Sequence, residues 1–129
     1  MNRDRMRTLA KHLKNNDPPP GMDGFDYGLY VERTDCGTVG CIAGWAVYLF
    51  SDERALVTLA SDEIFIEAAR LLELSPRQAD LLFANEDVCG HVGLSKAVTA
   101  KDAARAIESM MNGNPEPWAD FLEAQREDA

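Results

Sequence analysis

Nowhere does this chain hold the roughly 18–20 consecutive apolar residues that a membrane-spanning helix requires, and that excludes a helical span. It has three cysteines, an odd number that cannot all pair within one chain. That count agrees with a cytoplasmic, reducing setting, which is expected by default. Its first residues, MNRDRMRTLAKHLKNN, are basic but have no apolar segment, so no signal peptide is expected there. Histidine is scarce: His12 and His91 are the two general bases of that type. No Gly-rich phosphate loop, HExxH or GxSxG pattern is present, and no cofactor is expected.

What is present is acid. The formal net charge is −9 over 129 residues, with a 46% apolar fraction that suits a single soluble domain, residues 1–129. The charge is unevenly placed. Residues 1–15 carry five Lys/Arg against one Asp, net +4, and residues 16–129 carry eight against 21 acids, net −13. An acidic body repels phosphate backbones, which argues against general nucleic-acid binding. The basic first segment has two readings: a helix whose charges complement that body, or an arm directed at a partner. Mimicry of a nucleic acid by the acidic surface stays open.

The pattern along the chain is helical. Met6, Leu9, Ala10 and Leu13 fall at helical spacing within residues 3–15, with Asn2 as N-cap. Pro18-Pro19-Pro20 ends that helix. Residues 16–35 read as an ordered Pro/Gly/aromatic loop with a short extended piece near Gly28–Glu32. From Gly37 to Phe50 no charged side chain occurs, and such a run must be buried. It predicts a central helix over about 39–50, capped by Thr38, with Cys41 in its first turn. Residues 52–60 read as a short helix or a loop. Ser61 starts a further helix with Ile64, Phe65, Ala68, Leu71 and Leu72 inside. Ser75-Pro76-Arg77-Gln78 is a capping box with proline at the first helical position. Residues 85–98 read as a loop. Thr99 and Asp102 form a second box, and Asn112-Gly113 ends that helix. Pro117 opens a last helix with Trp118, Phe121 and Leu122. The sum is an all-α fold: a compact domain of five or six short helices around a buried central helix.

CGTVGCIAGWA resembles a motif of a family of small uncharacterised proteins of bacteria and their phages. The family pattern, Cys-Gly-Thr-x-x-Cys-x-Ala-Gly-Trp-Ala, falls on Cys36, Gly37, Thr38, Cys41, Ala43, Gly44, Trp45 and Ala46. AARLLELSPRQADLLF and TAKDAARAIE are similar to the family's second and third blocks, so the resemblance covers about residues 35–110. Some relatives carry His just before the second Cys, where this chain has Gly40. The resemblance implies no particular activity.

Three chemistries fit the residues present. Cys41, opening a helix, is a candidate nucleophile with His91 as its base and Asn85 or Asp87 as orienter, in a cysteine-dependent hydrolase or transferase. The contrasting reading is a small structural cysteine beside Gly and Ala. Cys36, Cys41, Cys89 and His91 would form a valid tetrahedral zinc set, although C-x4-C is wide and C-x-H is tight. A Cys36–Cys41 disulfide is within geometric reach but unsuited to a reducing compartment. LELSPRQADLLF also invites a helix-turn-helix reading, but Ala-Asn-Glu-Asp follows Phe83, where a recognition helix needs basic and polar residues. The function best matched is a non-enzymatic accessory or regulatory protein that binds another protein. Phe25, Tyr27 and Tyr30 are candidate interface residues, because aromatics in a Pro/Gly-framed loop suit an interface. Equally, those rings could lid the core.

Overall fold

The computed structural model describes residues 1–20, 24–25, 27, 31–34, 37–51, 61–89 and 97–127. Helix α1 spans Arg3–Lys14. Asn2 caps it, its side-chain oxygen accepting from the Arg5 N–H at 3.1 Å. Met6, Leu9, Ala10 and Leu13 form its buried stripe, as their spacing predicts.

Three short strands follow: β1 (Gly24–Phe25), β2 (Val31–Thr34) and β3 (Gly37–Gly40). They form one sheet in the order β1-β3-β2. β1 runs parallel to β3 with Gly24 opposite Val39, and β2 runs antiparallel to β3 with Val31 opposite Gly40 and Thr34 opposite Gly37. This small sheet is an addition to the expected helical fold. Of the extended piece expected near Gly28–Glu32, Val31 and Glu32 lie in β2, and residues 28–30 lie outside the described residues.

The central helix, α2, spans Ile42–Phe50 and begins three residues later than expected. Thr38 does not cap it: that residue pairs with Arg33 inside the sheet. Cys41 is the N-cap, and its carbonyl accepts from the Trp45 N–H at 2.9 Å. The physical reason lies in Gly37-Thr38-Val39-Gly40. Two glycines and two β-branched residues are poor helix formers, and pairing with β2 satisfies their backbone groups instead. Ile42 through Val47 are all buried. The helix touches α1, β3 and the two helices that follow.

Those are α3 (Ser61–Leu72) and α4 (Pro76–Phe83). The predicted capping box of α4 is present: the Gln78 N–H donates to Ser75 Oγ at 3.1 Å, and the Ser75 N–H donates to Gln78 Oε1 at 2.9 Å. A single helical turn, α5 (Glu86–Cys89), interrupts what was expected to be loop. Asn85 makes this turn, its Oδ1 accepting from the Asp87 N–H at 3.0 Å. Helix α6 spans Ala100–Met111 and opens on the predicted Thr99/Asp102 box. Helix α7 spans Ala119–Glu127, beginning just after the buried Pro117 and Trp118. One hydrophobic cluster joins residues from α1 through Phe121 of α7. The expected helical class and buried central helix are both found. No helix among the described residues is long and apolar enough to cross a membrane.

Candidate functional site

Cys41 is placed by the junction of β3 and α2 and is 2% exposed. Its side chain does not cap α2. A thiol at a helix N-terminus benefits from the dipole, but as placed its sulfur offers a reagent little surface. Cys36, His91, Tyr30 and the side chain of Cys89 lie outside the described residues. Among the described residues no group of three His, Cys, Asp or Glu is placed to hold a metal ion. Asn85 is buried and engaged in capping: its Nδ2 donates to the Leu81 carbonyl at 3.2 Å while Oδ1 serves α5. Asp87 is exposed on that turn.

The two described aromatic residues of the loop, Phe25 and Tyr27, face inward. Phe25 is half-buried, edge-on to Trp45 with ring centres 5.9 Å apart. Trp45 Nε1 donates to the Gly24 carbonyl at 3.0 Å, which ties β1 to the central helix. Tyr27 is 3% exposed and packs edge-on against Trp118 at 4.9 Å. Its hydroxyl donates to the Leu82 carbonyl at 3.1 Å and accepts from the Asn85 N–H at 3.0 Å. Tyr27 thus has the position of a lid on the core, with little surface left for a partner.

A different surface stands out on α1. Arg3, Arg7, Lys11 and Lys14 recur once per helical turn and share one exposed face. Folding brings α6 alongside, α1 and α6 being the most extensively packed pair among the described elements. Between them runs an open groove of about 500 Å³, lined by those four cations together with Glu108 and Met111. Two arginines of the helix have structural duties. Arg3 donates to the carbonyl of Met111 at 3.0 Å, at the C-terminus of α6. Arg5, pointing to the other side, donates to the carbonyl of Leu71 at 2.8 Å and lies over the Phe50 ring. Both meet the negative end of a helix dipole, where a guanidinium is favoured. Arg7 pairs with the exposed Asp4 at 2.9 Å. Lys11 and Lys14 sit in the last turn of α1, also favourable to its dipole, and neither makes an ion pair among the described residues.

The basic charge of α1 was legible in the sequence. The groove was not, because its second wall arrives from about a hundred residues downstream. No family model, no curated protein and no solved structure matches this chain.

Proposed function

We propose that this protein works by binding another protein, as an accessory or regulatory factor of the kind small helical bacterial and phage proteins supply, rather than by chemistry on a substrate. The observation that carries the reading is the segregated charge. A net +4 segment remains as an exposed basic face on a chain whose other residues sum to −13. The core needs Met6, Leu9, Ala10 and Leu13 from α1, and the helix ends need Arg3 and Arg5. Arg7, Lys11 and Lys14 are not consumed in that way, and exposed charges of one sign on an oppositely charged body steer and orient partners.

Gentle purification at low ionic strength from the native source tests this. The expected result is a stoichiometric second polypeptide that dissociates as salt rises. A chain that elutes alone as a 14.2 kDa species under those conditions sinks the reading.

The competing reading is a cysteine-dependent enzyme, and it draws on the position of Cys41 at the start of α2. Iodoacetamide labelling mapped to individual cysteines separates the two. Binding alone predicts that Cys41 reacts only on unfolding, and rapid labelling of the native protein would favour the enzyme. A zinc-stabilised domain through Cys36, Cys41, Cys89 and His91 predicts stoichiometric metal in the gently purified protein.

A further inference from the structure

We infer that the groove between α1 and α6 docks an acidic, helical segment of the partner protein; the inference rests on the protein-binding reading above. Its first support is spacing. The cations at 3, 7, 11 and 14 form a row about 16 Å long with one charge per turn. A second helix lying along the groove presents side chains at the same repeat, so carboxylates one turn apart meet successive cations. The second support is composition. Among the described residues the groove is lined by four cations against the one carboxylate of Glu108, with Asp4 beside Arg7 outside the lining, on a molecule that is acidic elsewhere. Glu108 stands on the opposite wall, where it repels a carboxylate and favours a cation, so the partner's acidic face must turn toward α1. Met111, half-buried at the end of the groove, offers a flexible apolar contact.

The basic surface is bounded, and this selects among anions. At physiological salt, fields fade over about 8 Å. A short acidic segment therefore feels the groove, whereas a long polyanion runs off it onto the acidic body. A second copy of this chain brings its own net charge of −9 to the encounter, and two such bodies repel.

The test uses the full chain and a fluorescein-labelled, three-turn helical peptide with one glutamate per turn, followed by fluorescence anisotropy. Saturable binding that weakens with salt is expected, with at least about a tenfold loss for the double variant Arg7→Glu/Lys11→Glu. Both positions are exposed, and circular dichroism checks the fold. The pair Arg7→Gln/Lys11→Gln gives the same readout should charge reversal disturb α1. Equal binding of a peptide with glutamine in place of glutamate, or unchanged affinity in both variants, overturns the inference. So does tighter binding of a single-stranded oligonucleotide of equal charge, which would assign the groove to nucleic acid. Salt-sensitive self-association abolished by the same variants would give the groove to a second copy and overturns it as well. A native partner still held by both variants removes the groove but leaves the protein-binding reading standing; a chain that purifies alone removes that reading itself.

Discussion

The carbonyl oxygen of Leu82 shows how single residues close this fold. A helix leaves its last four carbonyls without intrahelical donors. In α4 the Asp80 carbonyl takes the Ala84 N–H at 3.1 Å and the Leu81 carbonyl takes the Asn85 side chain. Leu82 receives both the Tyr27 hydroxyl and, at 3.3 Å, Trp118 Nε1. Two aromatic residues from opposite ends of the chain thus finish one helix. Removing the Tyr27 hydroxyl leaves Leu82 its tryptophan donor but strips the buried Asn85 N–H of its acceptor. Tyr27→Phe is therefore expected to cost about 1–3 kcal/mol in urea unfolding, the range for an orphaned buried donor. At the surface of α3, Arg70 donates from Nε and Nη2 to the two carboxylate oxygens of Glu67, and that hydrogen bonding holds the Glu67 carboxyl below the ordinary glutamate range. A lowered folded value stabilises above the unfolded value and ceases to do so as pH falls through the folded one. The small advantage of the wild type over Glu67→Gln should accordingly be present at neutral pH and vanish on acidification. An advantage that instead grows toward acid would contradict the pairing. Salt should shrink it, since Arg70 is exposed.

Among the elements, α1, α3 and α6 stop in the same way. In each, the residue past the cap adopts positive φ: Asn16 at 49°, Glu73 at 54° and Gly113 at 86°. Each closes a paired bond set, Asp17 N–H to His12 and Asn16 N–H to Leu13 in the first helix. Leu74 to Ala69 with Glu73 to Arg70, and Asn114 to Ser109 with Gly113 to Met110, complete the set. Gly and Asn accept this conformation readily; glutamate does so at a cost of about 1–2 kcal/mol. Glu73→Gly should therefore raise the unfolding free energy by about 0.5–1 kcal/mol, after the extra chain entropy that glycine gives the unfolded state. Gly113→Ala should lower it by about 1 kcal/mol through backbone strain alone, because an added Cβ there meets nothing within 4 Å. Thermal denaturation of both variants checks the pair of signs. These ends also mark what was legible in advance. Asn112-Gly113 announced its stop, and the Ser75/Gln78 and Thr99/Asp102 boxes announced their starts, because those signals are local. Glu73 announced nothing. The sheet is less legible for a related reason: strands of two to four residues are too short to show an alternating pattern, and although β2 and β3 are joined by only two residues, β1 meets β3 from about fifteen residues away. The same pairing drew Thr38 away from its expected place as a helix cap.

For the whole molecule, α1 is both a wall of the core and the carrier of the basic groove. Leu9 is fully buried in the cluster it shares with α6. Leu9→Ala should cost about 2–5 kcal/mol, the range for a truncated core leucine. Because α1 and α6 are so extensively packed, hydrogen exchange in both should accelerate together. Faster exchange confined to α1 would show that the two do not open as one unit. The candidate site divides along the same line. Its charges belong to one helix and could be read from fifteen residues. Its shape belongs to two helices and could not. Cys41 lies where local pattern put it, near a helix start, but its depth in the core is a property of the assembled fold.

The bond from Arg3 to Met111 joins residues 108 positions apart. During synthesis at about 5–20 residues per second, the partner of the first helix emerges roughly 5–20 seconds after it. Over that interval Met6, Leu9 and Leu13 have no α6 to cover them, so the nascent chain carries a sticky, positively charged amphipathic segment next to the ribosome. A holdase chaperone able to shield that segment until translation has passed residue 111 should raise the yield of folded protein.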